Sequence, residues 1–383
     1  MSADIPFVDL NSVHAPLLPA LMAASERVYR HGRFVDGPEV AQLERALAEH
    51  VGVAHCVTCA SGTMALQLSL MALGIGPGDE VIVPAYTFAA PVEAILLAGA
   101  TPVLADIEAD TCTIAVASAQ ALITPKTRAI IAVSLYGQTA DLVALETLAR
   151  AHDIALIEDG AQSFGARLHG RSSGSFGDLG CTSFYPSKPL GGCGDGGAVF
   201  TRDDTLATRL RSLRNHGQDG RYRHTQLGLN ARLDTLACAA LLVKFAHFPA
   251  HLARREALAR RYDAALTGIV AADDLPRLRP HARSAHALYC VHLDARERVR
   301  NALAHAGIAT DIHYPAPLHR QPAFAARCRW HDLTHSERAA RRGLCLPLYP
   351  SLEDAQQDRV VAALTDTMRT ATTREATSRA LDD

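Results

Sequence analysis

The sequence predicts an α/β protein with a mainly parallel central sheet, helices on both faces of that sheet and a smaller carboxyl-terminal α/β domain. Between Glu80 and Thr201, short β-branched runs alternate with helical stretches. These runs lack the polar and apolar alternation of a half-exposed strand, which is typical of parallel strands buried on both faces. The strand candidates are Val81–Val83, Pro102–Ala105, Ala129–Val133, Ile154–Ile157, Leu179–Phe184 and Ala198–Thr201.

Three helices are predicted around these strands. Pro38–Val51 begins with a proline, a favoured first helical residue, and has apolar residues on one face at Val40, Leu43, Leu47 and Val51. Thr63–Leu73 is apolar nearly all round, which indicates a helix buried against the sheet. A long helical pattern from Leu233 to about Leu266 leads towards the second domain.

The smaller domain is predicted from four segments that follow this long helix: Ala287–Leu293, Val299–Ala306, Thr310–Tyr314 and Leu352–Met368. We expect a large domain over residues 1–250 and a small domain over 251–369. The polar segment 370–383, which has no aromatic residue, is expected to be a disordered tail.

Composition describes an ordinary globular chain of 383 residues, with 48% hydrophobic residues and a net charge of −2. No basic excess suggests nucleic acid, no run approaches the ~20 apolar residues of a membrane helix, and the amino terminus lacks a signal-peptide pattern. We therefore expect a cytoplasmic protein. Nine scattered cysteines indicate reduced thiols, and Cys56 and Cys59 lack the second ligand pair of a zinc site, so no metal is expected.

Lys188 is the first candidate catalytic residue. It lies between the strand candidate Leu179–Phe184 and a glycine-rich loop, and no other lysine or arginine occurs between Arg171 and Arg202. An apolar setting disfavours the charged ammonium and favours the neutral, nucleophilic amine. Such a lysine could form a Schiff base with an aldehyde cofactor, although a lysine in an exposed loop explains this single residue equally well.

Other residues meet the further needs of a pyridoxal phosphate site. Gly62 and Thr63 begin an apolar helix, whose free amides and dipole favour a phosphate. Asp159 follows a strand and could keep the pyridine nitrogen protonated, and Phe88 follows another strand and could stack on the ring. Open α/β sheets bind ligands at these carboxyl ends of strands.

Seven ordered motifs make the chain resemble the DegT/StrS-type family of nucleotide-sugar aminotransferases, which are pyridoxal phosphate enzymes of fold type I, the aspartate aminotransferase fold. The resemblance runs from Phe7 to about Asp366. The motifs are Gly37-Pro38-Glu39-Val40, Ser61-Gly62-Thr63, Glu158-Asp159-Gly160-Ala161-Gln162, Ser183 through Lys188, Gly194-Asp195-Gly196-Gly197-Ala198, Gly228-Leu229-Asn230-Ala231-Arg232-Leu233-Asp234 and His313-Tyr314-Pro315.

The resemblance implies that Lys188 carries the cofactor and moves the proton during transamination. It also implies that Gln162 meets the ring hydroxyl and that Ser183 helps to hold the phosphate. Asn230 is expected to cross to the neighbouring subunit, so the active unit would be a homodimer with shared sites. The implied cofactor-binding residues are Gly62, Thr63, Phe88, Asp159, Gln162, Ser183, Lys188 and Asn230.

The expected reaction moves an amino group from an amino acid, most simply L-glutamate, to a nucleotide-linked keto sugar. The chain is most similar to the subgroup that aminates C3 of UDP-2-acetamido-2-deoxy-3-oxo-glucuronic acid for O-antigen sugars. By that similarity Arg232, His313 and Tyr314 are candidates for the sugar carboxylate. An ion pair within the chain, with Asp234 or another carboxylate, is the alternative for Arg232.

Other functions remain open at this point. Some relatives aminate dTDP-keto-hexoses or cyclitol ketones, and only the substrate pocket separates them. Others are dehydratases with histidine in place of the lysine, and Lys188 argues against that activity. A pyridoxal phosphate-binding regulatory protein without turnover is the alternative from another class, because a fold alone does not establish activity.

Overall fold

A computed structural model describes residues 4–382, with side chains described to residue 369. The strands are β1 His55–Cys59, β2 Glu80–Pro84, β3 Thr101–Ala105, β4 Thr127–Val133, β5 Ala155–Asp159, β6 Arg167–Leu168, β7 Arg171–Ser172, β8 Leu179–Ser183, β9 Gly197–Thr201, β10 Ala282–Arg283, β11 Tyr289–His292, β12 Arg329–Trp330 and β13 Gly343–Leu346. The helices are α1 Leu10–His14, α2 Leu18–His31, α3 Pro38–Val51, α4 Gly62–Leu73, α5 Ala90–Leu97, α6 Val116–Ala121, α7 Leu142–Ala151, α8 Asp204–Arg214, α9 Thr235–Leu266, α10 Arg296–His305, α11 Thr334–Arg342 and α12 Asp354–Asp382.

The central sheet has eight strands in the order β1-β9-β8-β5-β4-β2-β3-β12. Every pair from β8 to β12 is parallel, whereas β9 runs antiparallel to both of its neighbours. The prediction of a mainly parallel sheet within an α/β fold is confirmed. All six predicted strands form within this sheet, and their ends shift by no more than a few residues.

Successive residues of one strand face two different apolar cores, because side chains alternate across a sheet. In β2, Val81 and Val83 pack into a core with α4 and α5, whereas Ile82 packs into a core on the other face with α6 and α7. Both faces are therefore covered by helices. This double burial is the physical reason that the strands read as continuous apolar runs.

A further core lies in the carboxyl-terminal part of the chain and includes Leu258, Tyr289, Leu344 and Val360. Here β11 and β13 form a two-stranded antiparallel sheet. The amino-terminal Ile5 also packs into this core. The described fold thus contains a smaller α/β unit built from both ends of the chain.

Two features connect this unit to the central sheet. Helix α9 continues across the predicted boundary at residue 250, and β12 pairs in parallel with β3 at the edge of the central sheet. The boundaries 1–250 and 251–369 stay a prediction. The predicted disordered tail, 370–383, begins within the backbone span of α12, and its side chains lie outside the described residues.

By length and mean hydropathy alone, α9 passes the test for a helix that could cross a membrane. It contains Lys244, Pro249 and Arg255, and it packs against α2 and α3. A long helix of a folded domain passes the same test, so this is weak evidence for a membrane span. All nine cysteines are free thiols, and seven of them are buried.

Candidate active site

Lys188 and Asp159 lie close together at the carboxyl edge of the central sheet. Asp159 is the last residue of β5, and Lys188 follows β8, which pairs in parallel with β5. Burial lowers the pKa of the Lys188 ammonium, and the Asp159 carboxylate partly offsets this effect. Burial likewise raises the pKa of Asp159, against the opposing effects of the Ala161 amide, 3.0 Å from Oδ1, and of Lys188. A buried amine beside a buried carboxylate is a candidate catalytic pair.

The amino end of α4 packs against the end of β8. Ser61 caps the helix by accepting a hydrogen bond from the Met64 amide at 3.1 Å. The first helical amides, those of Gly62 and Thr63, have no carbonyl one turn earlier to which they could donate. A Cβ at Gly62 would lie 2.8 Å from the Ser183 Cβ, so only glycine fits this close approach. The result is a small cradle of free amides beside the Ser183 hydroxyl.

Gln162 connects two segments that converge on the Lys188 site. Its Oε1 accepts a hydrogen bond from the Tyr136 amide at 2.9 Å, and its Nε2 donates to the Tyr314 hydroxyl at 3.1 Å. The side chain is 5% exposed, so these bonds are shielded from water. The small unit therefore contributes Tyr314 directly to the site.

His313 and Phe88 lie beside Tyr314. The Phe88 ring is 6.0 Å from that of Tyr314 and is 55% exposed. Burial lowers the pKa of His313, the charge of Lys188 lowers it further, and Asp311, 3.7 Å away, raises it. The electrostatic influence of Lys188 on His313 indicates that the segment from the small unit reaches the neighbourhood of the lysine.

Glu158 faces away from this site. Its carboxylate accepts hydrogen bonds from Ser134 Oγ at 3.0 Å, Ser173 Oγ at 2.6 Å and the Gly174 amide at 2.7 Å. Complete burial raises its pKa to about 7. The alternation expected along β5 thus sends Glu158 and Asp159 to opposite faces of the sheet.

Asn230 and Arg232 make no side-chain hydrogen bond to the other predicted site residues within the described part of the chain. The intervening Ala231 carbonyl accepts a hydrogen bond from the Ala60 amide at 2.9 Å, which brings the segment behind the start of α4. Asn230 is exposed, and Arg232 donates to Asn215 Oδ1. Among the described side chains, neither bonds to another predicted site residue, and no carboxylate pairs with Arg232.

The structure thus brings most of the predicted site residues together, namely Gly62, Thr63, Phe88, Asp159, Gln162, Ser183, Lys188, His313 and Tyr314. Sequence reasoning missed Tyr86 and Tyr136, whose hydroxyls both donate to the His313 carbonyl. Both tyrosines come just after the carboxyl ends of strands, β2 and β4. That position is the signal that could have identified them.

These residues fit pyridoxal phosphate. A side chain at position 62 would collide with Ser183. Because Gly62 has none, the helix amides and the Ser183 hydroxyl stay accessible to an anion. The buried Lys188 amine suits an aldehyde, and Asp159 suits a protonated ring nitrogen. Among the residues that the structure describes, no cluster of histidine, cysteine and acidic side chains could hold a metal ion.

A family model for the DegT/DnrJ/EryC1/StrS aminotransferases matches residues 19–365. A UDP-2-acetamido-2-deoxy-3-oxo-D-glucuronate aminotransferase of Pseudomonas aeruginosa is 45% identical over 94% of this chain and 100% of its own. A UDP-N-acetyl-3-dehydro-α-D-glucosamine 3-aminotransferase of Acidithiobacillus ferrooxidans is 43% identical over 95% of this chain and 98% of its own.

Among solved structures, the enzyme DesV of S. venezuelae in complex with a ketimine intermediate superposes with a TM-score of 0.93. It is 41% identical, and the match covers 96% of this chain and 99% of that one. The chain therefore belongs to the DegT/DnrJ/EryC1/StrS aminotransferase family and is a pyridoxal phosphate-dependent sugar aminotransferase.

Proposed function

We propose that this protein moves an amino group from L-glutamate to C3 of UDP-2-acetamido-2-deoxy-3-oxo-glucuronic acid. It would do so in the cytoplasm, as a homodimer with shared active sites, during synthesis of a bacterial surface polysaccharide such as an O-antigen. The observation that carries the proposal is the meeting of Lys188 and Asp159 with the His313-Tyr314 segment at one edge of the sheet. The P. aeruginosa relative, named for this substrate, supports the choice of sugar.

When bound, pyridoxal phosphate supplies an aldehyde that accepts the amine and a protonated ring that accommodates the electron pair left when a proton departs. Lys188 would take that proton from the carbon that bears the amino group and deliver it to the former aldehyde carbon of the cofactor, since burial favours its neutral form. Asp159 would keep a proton on the ring nitrogen, and Ser183 with the amides of Gly62 and Thr63 would hold the phosphate. Phe88 would cover one face of the ring.

A sugar carboxylate needs positive charge and hydrogen-bond donors. We propose that His313 and Tyr314 of one subunit and Arg232 of the neighbouring subunit supply them. Burial raises the pKa of Tyr314, so its hydroxyl keeps a proton to donate. The Arg232 guanidinium, which pairs with no carboxylate among the described residues, keeps donors for a bidentate contact.

Exposed apolar side chains support the homodimer. Helix α2 exposes Leu18, Met22 and Tyr29 by 56%, 63% and 65%, and the following residue Phe34 is 42% exposed and contacts the Tyr29 ring. The opposite side of α2 already packs against α9. Apolar surface of this kind marks protein interfaces, and a second copy of this chain would cover it.

The absorbance spectrum of the purified protein with pyridoxal phosphate tests this function. We expect a visible band that depends on Lys188, that L-glutamate bleaches in the wild type, and that Lys188→Ala lacks. Subsequent addition of the UDP-linked 3-keto sugar should restore the band and yield an amino sugar. A dTDP-linked 4-keto hexose, presented in the same way, should leave the bleached form unchanged.

The outcomes separate the alternatives. Absence of any Lys188-dependent band would favour a non-catalytic protein. If L-glutamate bleaches the band and only the dTDP sugar restores it, the proposed acceptor is wrong, although the protein is still an aminotransferase.

A further inference from the structure

Two tyrosines that follow strands of the large sheet, the buried Tyr86 and the partly buried Tyr136, hold the backbone of the small unit at His313. Tyr86 donates to the His313 carbonyl at 2.8 Å, and Tyr136 donates to the same carbonyl. The amide of Tyr314 donates to the Tyr86 hydroxyl at 2.9 Å, and the two tyrosine hydroxyls are 2.9 Å apart. Both polar atoms of the peptide group that joins His313 to Tyr314 are therefore bound to the two tyrosines.

A count of protons shows that this cluster is self-contained. The Tyr314 amide donates to Tyr86, the single Tyr86 proton goes either to Tyr136 or to the His313 carbonyl, and Tyr136 donates to the His313 carbonyl. Each donor in this cluster is used once. Removal of the Tyr86 hydroxyl leaves the part-buried Tyr314 amide without its acceptor, and removal of the Tyr136 hydroxyl takes away one of the two donors to the His313 carbonyl.

Burial keeps both hydroxyls in the donor form. Tyr86 is 1% exposed, and burial raises the pKa of Tyr86 and of Tyr136 well above the ordinary tyrosine value. Tyr136 also has a positive φ of 58°, which is uncommon for a residue with a side chain. Gln162 holds this conformation by accepting a hydrogen bond from the Tyr136 amide at 2.9 Å.

Gln162 joins this cluster to the cofactor site. One end of its amide binds the backbone of Tyr136 and the other binds the hydroxyl of Tyr314. The side chain of Tyr314 and its backbone are thus held by two independent connections to the large sheet. Such double support is what a binding side chain needs to stay within a fraction of an ångström of its place.

We propose that Tyr86 and Tyr136 are positioning residues that lock residues 311–315 over the active site for the keto-sugar half of the reaction. This inference rests on the proposed function, in which His313 and Tyr314 bind the sugar. The L-glutamate half depends on Lys188 and Asp159, which the two tyrosine hydroxyls do not contact. Loss of either hydroxyl should therefore weaken the sugar half selectively.

The test compares Tyr86→Phe and Tyr136→Phe with Tyr262→Phe. Tyr262 is also fully buried and donates to the Pro347 carbonyl at 2.9 Å, but within the core of the small unit. The variants are mixed separately with L-glutamate and with the UDP-linked 3-amino sugar, which runs the second half-reaction backwards. Both amines bleach the same band, so the two rates can be compared directly.

We expect Tyr86→Phe and Tyr136→Phe to slow bleaching by the amino sugar roughly tenfold, as for loss of one buried hydrogen bond, and bleaching by L-glutamate by less than about twofold. Tyr262→Phe should leave both rates near the wild type. Hydrogen exchange gives a measurement that does not depend on activity. In the protein without cofactor, the Tyr314 amide should exchange about tenfold faster in Tyr86→Phe than in the wild type, and Tyr136→Phe and Tyr262→Phe should not show this change.

If both half-reactions slow equally, or if neither slows, the positioning role is wrong and the proposed function still stands. Unchanged protection of the Tyr314 amide in Tyr86→Phe would overturn the lock itself. If the wild type reacts with L-glutamate but not with the amino sugar, the proposed acceptor is wrong and the positioning role falls with it.

Discussion

Two adjacent carboxylates at the end of β5 have opposite surroundings. Asp159 faces Lys188, whereas Glu158 faces two serine hydroxyls and the Gly174 amide on the other side of the sheet. Asp159 gains a nearby positive charge. The groups that bind Glu158 are neutral hydrogen-bond donors, and its complete burial raises its pKa to about 7.

The raised pKa of Glu158 makes stability depend on pH. Its pKa rises from 4.5 in the unfolded chain to about 7 in the folded protein, so folding favours the protonated carboxyl. The stabilisation is complete below pH 4.5 and is lost as the pH rises towards 7. Between about pH 5.5 and 8, the wild type should lose about 2 kcal/mol of unfolding free energy through this group.

Glu158→Gln should remove this loss, because glutamine resembles the protonated acid and the serine hydroxyls can rotate to accept its amide protons. The difference in unfolding free energy between variant and wild type, measured by urea at both pH values, should shift by about 2 kcal/mol in favour of the variant at the higher pH. Asp178→Asn, at an exposed carboxylate that accepts a hydrogen bond from the Leu156 amide at 2.8 Å, serves as the control. A difference independent of pH would contradict the argument.

At the scale of elements, α2 is a helix with two apolar sides. Ala24 and Val28 pack against α9, and Leu18, Met22 and Tyr29 face outwards. No element before Pro38 is predicted from the sequence, because a helix with apolar residues on both sides lacks the simple periodicity of an amphipathic one. The outward side is the element that we expect to meet a second copy of the chain.

Met22→Glu should therefore separate the dimer, since the new carboxylate would be buried without a partner at the interface. Sedimentation or light scattering should report the mass of a monomer for the variant at concentrations where the wild type is dimeric. Val143→Glu, at a residue of α7 that is 39% exposed, is the matched control and should stay dimeric. A dimeric Met22→Glu would place the interface elsewhere.

At the scale of the whole molecule, the predicted site residues fall into two groups. Lys188 and Asp159 lie in one site of the chain, and Asn230 lies on an exposed segment that bonds to none of them in the described structure. A homodimer in which Asn230 completes the neighbour's site would unite the groups. Each chain would then supply parts to two different sites.

Mixed dimers test this arrangement. Lys188→Ala and Asn230→Asp should each be nearly inactive alone, but dimers formed from both contain one site with neither change. Random mixing makes half of the dimers mixed, so about a quarter of the wild-type activity should return. Lys188→Ala mixed with Asp159→Asn should recover none, because both residues serve the same chain's site. Recovery in neither mixture would indicate that Asn230 acts within its own chain.

The sequence by itself determined the layered α/β fold, the approximate positions of six of the eight strands of the central sheet and the candidate pair Lys188 and Asp159. These features are encoded locally, because burial on both faces gives continuous apolar runs and the two candidate residues lie at or shortly after the ends of strands. Helix α3 was predicted with its observed bounds, Pro38–Val51, for the same reason. Local periodicity and capping are sufficient to define such a helix.

Only the tertiary structure decided which distant segments meet at the site. Tyr86 and Tyr136 bind the carbonyl of His313 across 227 and 177 positions of the chain, and β12 joins the central sheet far from its sequence neighbours. No local pattern encodes these contacts, because they arise when two apolar cores pack and bring separate backbones together. The chemistry of the site was readable from the sequence, whereas the support that positions His313 and Tyr314 comes from long-range packing.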